Sequence, residues 1–329
     1  MTDHLFDLNF PEVYPEPLAN AVIRQTPEDF LVIEDLGYSP SGEGEHCFIW
    51  VEKREANTEW VAEQFAQRLD MKKRDVSYAG RKDRHAVTRQ WFSLWLPGRE
   101  TPQETDLQVE GTTILGINRH HKKLRRGSHQ GNEFVIWVRE LISPMAQSQL
   151  KSSVDERLRE ISEQGFPNYF GPQRFGHDGQ NLQQAVLLID SLLTSGEEKR
   201  RRGGRGDMFI SAARSYLFNH VLAERIRDGS WQNDDDQARP LTGPLLGLIR
   251  KPHPLDEWEN HHLEKLSPGV FRSWQKCFQQ LGMRASRRQL RIQPSDMTWE
   301  WQGDDLRLSF YLPTGSYATA LIEQLFVLQ

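Results

Sequence analysis

Cysteine is nearly absent from this 329-residue chain. Only Cys47 and Cys277 occur, far apart in sequence, which argues against a disulfide scaffold and fits a reducing, cytoplasmic setting. There is no C-x-x-C, and the adjacent His46 and Cys47 are poorly spaced as ligands, so the common zinc motifs are excluded and no metal is expected. The zinc deaminase pattern H-x-E…P-C-x-x-C is missing, as is the P-loop G-x-x-x-x-G-K-[ST]. Gly42-x-Gly44 and Gly204-x-Gly206 each lack the third glycine of a dinucleotide fingerprint, so no nucleotide cofactor is expected. Long hydrophobic runs are also lacking. No stretch approaches the roughly 18 uninterrupted apolar residues of a membrane span. The segment from Met1 to Asn20 is acidic and Pro-rich, with neither a basic n-region nor an apolar h-region. A soluble chain without an export signal or a membrane partner is the expectation.

What remains is enough for a core. Apolar residues make up 37% and 24 glycines add to them. At about 150 residues per domain, the length suits two domains, or one domain with a large insertion. The net charge of −5 says nothing for nucleic acid by itself, but its distribution does. Met71 to Gly131 carries a net +7 and the remainder a net −12. A basic stretch inside an acidic chain is what a polyanion-binding face looks like in sequence. Its densest part, Arg119-His-His-Lys-Lys-Leu-Arg-Arg126, contains no acid. An ordinary solvated loop makes the same run.

Periodicity places strands at Phe30–Asp35, Cys47–Val51, Val76–Tyr78, Thr88–Leu96 and Phe134–Val138. Asn57 is a suitable N-cap for a helix with Trp60, Val61, Phe65 and Leu69 on one face. Ser143-Pro144 suits the start of a long helix, with Leu150, Val154, Leu158 and Ile161 facing inward. Helical patterns then dominate: Leu182–Leu193, Ser211–Ile226 closed by Gly229, and Glu264–Leu281. Strand grammar returns at Leu306, Leu308, Phe310 and Leu312, and Pro313-Thr-Gly315 leads into a final helix through Leu325. The runs Lys199–Arg202 and Asp234–Asp236 suit exposed loops. A helical block bracketed by strand-rich blocks reads as an α+β fold carrying an insertion.

The most unusual segment is Gly80-Arg-Lys-Asp-Arg-His-Ala-Val-Thr-Arg-Gln90. Its single carboxylate, Asp83, sits among Arg81, Lys82 and Arg84 in a loop between two strands. An oriented carboxylate so surrounded can be a nucleophile, a base or a metal ligand; an exposed charged turn has the same composition. Gly131-Asn-Glu-Phe134 follows the basic run, and an Asn beside an aromatic suits hydrogen bonding and stacking with an unstacked base. It equally suits a turn leading into a core strand.

These segments resemble the TruD family of tRNA pseudouridine synthases. The matching strings are Pro27-Glu-Asp-Phe-Leu-Val-Ile-Glu34, Gly42-Glu-Gly-Glu-His46, Gly80 to Gln90, Lys123-Leu-Arg125 with Gly131-Asn132, Asn168-Tyr-Phe-Gly-Pro-Gln-Arg-Phe-Gly176, Ala213-Arg-Ser-Tyr-Leu-Phe-Asn219, and Leu312-Pro-Thr-Gly-Ser-Tyr-Ala-Thr319. The resemblance implies a pseudouridine synthase core, a mixed sheet with helices, over residues 1–157 and 291–329, interrupted by a TRUD domain over 158–290. It implies a metal- and cofactor-free isomerase acting on tRNA, at uridine 13. It places Asp83 as the catalytic aspartate, and Phe30, Asn132 and Tyr317 around the target uridine with Phe134 near the base. Arg24 falls where a basic residue could pair with the aspartate. Lys122, Lys123, Arg125 and Arg126 become the expected phosphate contacts, and a monomer is expected. The rival readings are a non-catalytic tRNA-binding or chaperone protein that keeps the fold, and a metal-dependent RNA hydrolase, which needs clustered carboxylates.

Overall fold

The computed structural model describes residues 6–14, 16–195, 205–232, 241–248, 255, 257–266 and 268–329. The basic run Lys199–Arg202 and the acidic run Asp234–Asp236 lie outside them. The chain forms two units: Glu16–Glu163 with Gln293–Gln329, and Met1–Pro15 with Gln164–Ile292. No helix of the described residues is long and apolar enough to cross a membrane.

In the first unit the elements run β1 (Ala19–Ile23), β2 (Phe30–Asp35), β3 (His46–Arg54), α1 (Thr58–Arg68), β4 (Val76–Tyr78), β5 (Val87–Trp95), β6 (Thr112–His120), β7 (Gly131–Ile142) and α2 (Gln147–Gln164). The second unit contributes β8 (Phe166–Pro167), α3 (Gln180–Ser195), α4 (Arg205–Arg227), β9 (Thr242–Leu245), α5 (Glu257–Leu266), α6 (Pro268–Gln280), β10 (Ser286–Gln289) and β11 (Arg291–Ile292). The chain then returns to the first unit with β12 (Ser295–Gln302), β13 (Asp305–Pro313), α7 (Ala318–Ile322) and β14 (Phe326–Leu328).

The first unit is built on a ten-stranded mixed sheet in the order β12-β13-β7-β2-β5-β3-β6, with β1 attached at β7, β14 at β1 and β4 at β5. The pairings β2–β5 and β1–β14 are parallel and the others antiparallel. Period-2 patterning explains the centre. Leu306, Leu308, Phe310 and Leu312 of β13 are all buried, which fixes register because a one-residue slip would expose every one of them. α1 starts at the expected cap, with Asn57 Oδ1 accepting from the Glu59 N–H at 2.9 Å. It buries Val61, Ala62, Phe65 and Ala66, while Trp60, expected on that face, is exposed.

Several boundaries differ from the sequence reading. Ser143 does not start α2. Its Oγ donates to the Leu18 carbonyl and accepts from the Met145 N–H, so it closes a turn before the helix begins at Gln147. α2 then runs unbroken to Gln164, with Leu150, Val154, Leu158 and Ile161 buried along one face. A boundary at 157/158 would cut that helix, and the contacts divide the chain after Glu163 instead. Residues 6–14, expected with the sheet, join the helical unit because Phe6, Leu8, Phe10 and Val13 pack on its core. The expected helix Glu264–Leu281 is two helices, the second opening at Pro268, a residue that suits a first helical turn and not an interior. The final helix covers only Ala318–Ile322 before β14.

In the helical unit, α4 is buried almost all round from Ala212 to Ala223, as a central helix must be. Two of its buried polar side chains are paired within the unit: Ser215 donates to the Ser211 carbonyl at 2.9 Å, and Asn219 bonds a neighbouring segment. Asn219 accepts from the Phe170 N–H at 2.9 Å and donates to the Phe170 carbonyl at 3.0 Å, standing in for a neighbouring strand. Asn168 donates to the Gln289 carbonyl at 2.7 Å and accepts from Arg288.

Candidate active site

Asp83 lies in the loop between β4 and β5, and polar groups buried under the sheet surface hold that loop. Thr58, at the first turn of α1, accepts from the Lys82 N–H at 3.1 Å and donates to Gln90 Oε1 at 2.9 Å. Gln90 on β5 in turn donates to the Gly80 carbonyl at 3.3 Å. Lys53 on β3, fully buried, donates to the backbone carbonyl of Asp83 at 2.8 Å. With its backbone pinned from below, Asp83 presents a carboxylate that is 58% exposed.

That carboxylate meets Arg24, whose guanidinium donates to Asp83 Oδ2 at 2.7 Å. Arg24 directly follows β1 and sits at φ +61, a backbone state that costs a non-glycine residue on the order of 1 kcal/mol or more. Its guanidinium lies 4.0 Å over the Phe30 ring centroid. Stacking below and the carboxylate beside it hold the side chain in place.

Around these two groups is a cleft of about 250 Å³ lined by Arg24, Phe30, Asp83, Asn132, Phe134 and Tyr317, together with Gly80–Lys82, His129 and Gly315–Thr319. All six residues expected around the target uridine therefore share one cleft. Their accessibility separates them. Phe30 is 2% exposed and covered by Arg24, and Phe134 is buried between Phe30 and Phe310 at centroid distances of 6.3 and 5.6 Å. Tyr317, ahead of α7, is 48% exposed. It is the aromatic face of the cleft open to a partner.

Four further groups were given no role in the sequence reading. Lys82 turns inward: its Nζ donates to Asn132 Oδ1 at 2.6 Å and lies 2.9 Å from Glu34 Oε2. Glu34 on β2 and Asn132 on β7 are register partners, so the ammonium bridges two adjacent strands. Burial pushes the Glu34 carboxyl above the usual carboxylate range, against the pull of Lys82 and of the Trp91 N–H. His129 is pushed down to about 4, by burial first and then by Lys82, so its ring is neutral near neutral pH. Burial likewise lowers Lys53 to about 8 despite the nearby Asp83 charge. A signal for two of them was present. Glu34 and Lys53 occupy inward positions of β2 and β3, where alternation calls for an apolar residue.

The basic run is elsewhere. Arg119 and His120 end β6, and Lys122, Lys123, Arg125 and Arg126 form an exposed loop anchored by buried Leu124. Lys123, Arg125 and Arg126 line a second groove of about 420 Å³ with Lys73, Arg74 and Tyr78. Lys123 donates to the Arg74 carbonyl at 2.8 Å. Lys122 is outside that lining.

A pinned loop presenting one cation-paired aspartate, an exposed aromatic and an amide on a mixed sheet is chemistry for an enzyme that handles a planar base. The family model for tRNA pseudouridine synthase D (TruD) matches residues 13–186 and 233–325. The tRNA pseudouridine synthase D of Cellvibrio japonicus is 44% identical, over 97% of this chain and 93% of that protein. The protein of the same name from Pectobacterium atrosepticum is 36% identical, over 95% and 94%. A crystal structure of a protein described as a tRNA pseudouridine synthase D from Methanosarcina mazei shares the fold with a TM-score of 0.65, at 20% identity over 95% of each chain. The chain belongs to the TruD family of tRNA pseudouridine synthases.

Proposed function

We propose that the protein isomerises uridine 13 of tRNA to pseudouridine, with Asp83 acting at C1′ of a flipped-out nucleotide. The observation that carries this reading is the exposed Asp83 carboxylate, fixed by Lys53 and Arg24 inside a base-sized cleft. The reaction breaks the N1–C1′ bond, turns the base and forms C5–C1′; the C5 proton leaves and N1 gains one, so no redox partner is needed. A carboxylate beside C1′ can bond to it, or stabilise the positive charge that develops there as N1 departs. Arg24 keeps the carboxylate aimed through both halves of the reaction.

Taking the base out of its stack costs a few kcal/mol. Stacking on Tyr317, about 1–3 kcal/mol, offsets much of that, and Asn132 meets the polar edge of the base. The six residues of the proposed site reach one cleft without a second copy, so the reading takes the monomer as the acting unit. The second groove, with Lys123, Arg125 and Arg126, supplies phosphate contacts, and Lys122 adds charge beside it. Free, buried Cys47 and Cys277, each raised to about 11 by burial, suit the cytoplasm where tRNA is found.

The test is conversion of unmodified tRNA, read by pseudouridine-specific chemistry at position 13. The parent protein converts it. Asp83→Asn keeps size, removes the charge, and leaves tRNA affinity within a few-fold while turnover disappears. A rate near the parent's in Asp83→Asn overturns the role of Asp83, and conversion only at another uridine overturns the position.

A further inference from the structure

Lys82 is almost completely buried, carries a full set of donors and no acceptor, and does not touch the Asp83 carboxylate in this structure. What it touches is Asn132 Oδ1 at 2.6 Å and Glu34 Oε2 at 2.9 Å. An ammonium can only donate. The atom of Asn132 that faces it must therefore be the oxygen, because the reversed amide would set an NH₂ against an NH₃⁺ in a site closed to water. Glu34 keeps the ammonium where it is. The Glu34 side chain is fully buried, is held through its other oxygen by the Trp91 N–H at 3.0 Å, and lies opposite Asn132 in the β2–β7 register. The Asn132 amide has one orientation, and the group left to the cleft it lines is its NH₂.

We propose that Lys82 is a positioning residue that locks the Asn132 amide so the cleft offers the base a hydrogen-bond donor, and thereby selects uracil over cytosine. The inference rests on the reading of the cleft as a uridine site. The NH₂ of Asn132 serves O4 of uracil. Cytosine places an amino group there, and two donors then face each other with no water to separate them. The amide itself makes the contact; Lys82 acts through it.

The experiment compares affinity for tRNA carrying uridine or cytidine at the target position, for the parent and three variants, each first shown to be folded by its unfolding transition. Using the ratio cancels phosphate binding and any general loss of competence. The parent prefers uridine. Lys82→Met releases the amide, and the preference falls about tenfold or more. Asn132→Ala removes the amide, and adding Lys82→Met to it leaves the ratio unchanged. Asn132→Asp keeps an oxygen on Lys82 and turns an acceptor to the base, so the preference moves toward cytidine; this variant decides the matter if Lys82→Met fails to fold. An undiminished preference in Lys82→Met, an additive effect in the double variant, or unchanged uridine preference in Asn132→Asp each overturns the proposal. Failure of the parent to convert any tRNA uridine overturns the underlying functional reading instead, and is distinguishable from all of these.

Discussion

Replacing Lys53 by Met tests how the Asp83 loop is held. The buried ammonium donates to the Asp83 carbonyl at 2.8 Å, and burial, assisted by the Lys82 charge and opposed by Asp83, lowers it from 10.5 to about 8. The folded value lies below the unfolded one. Below about pH 8 the folded state therefore carries the whole penalty for a buried charge; the penalty shrinks as pH rises from about 8 towards 10.5 and is gone above that. A shift of this size corresponds to roughly 3 kcal/mol in full, of which about 2 kcal/mol is relieved between about pH 7 and about pH 10. Lys53→Met has no such term and every other titrating group is common to both proteins. Urea unfolding of parent and variant at both pH values should then show the difference in stability moving by about 2 kcal/mol in favour of the parent on going to the alkaline side. A difference independent of pH, or one moving the other way, refutes the assignment of Lys53 as a buried ammonium.

Arg24→Ala should leave stability nearly untouched, because both partners of the Asp83 pair are partly exposed and such pairs contribute at most about 1 kcal/mol; turnover should fall on the order of a hundredfold. Equal losses in melting temperature and rate would show the pair to be structural. Replacing Lys122, Lys123, Arg125 and Arg126 by Ala should flatten the slope of log affinity for tRNA against log salt by about two to three units, and an unchanged slope returns the loop to ordinary surface. Gly131→Ala should cost about 1–3 kcal/mol and displace Asn132, since a Cβ there would lie within 2.5 Å of the Tyr311 hydroxyl and the Leu312 carbonyl. Native stability with full activity in that variant would contradict the strand packing.

The strands that carried a one-sided apolar pattern were readable, β13 above all. β6 was not. Thr112–His120 contains no fully buried residue, so alternation is weak, and its end is disguised as the start of a basic run. Helix ends failed where a local rule had a competitor: Ser143 could cap a helix or close a turn, and its bond to the Leu18 carbonyl came from a residue far away in sequence. The cleft was legible only by family likeness, because its six residues come from five separate segments. The groups that aim it left only a faint trace, the inward positions of Glu34 and Lys53 in alternating strands. A Glu and a Lys inside charged or alternating stretches read as solvated faces, and only the folded sheet shows Glu34 and Lys53 pointing inward.

Asn168, Phe170 and Asn219 belong to two of the strings shared with the family outside the Asp83 loop, yet their bonds are to one another's backbone and to the Arg288–Leu290 strand end. Those strings record the upkeep of a helical core and contain none of the six cleft residues. On the proposed reading, sorting working enzymes from retired ones among related chains thus requires reading positions 24, 82, 83 and 132, and a high overall similarity score is silent on the question.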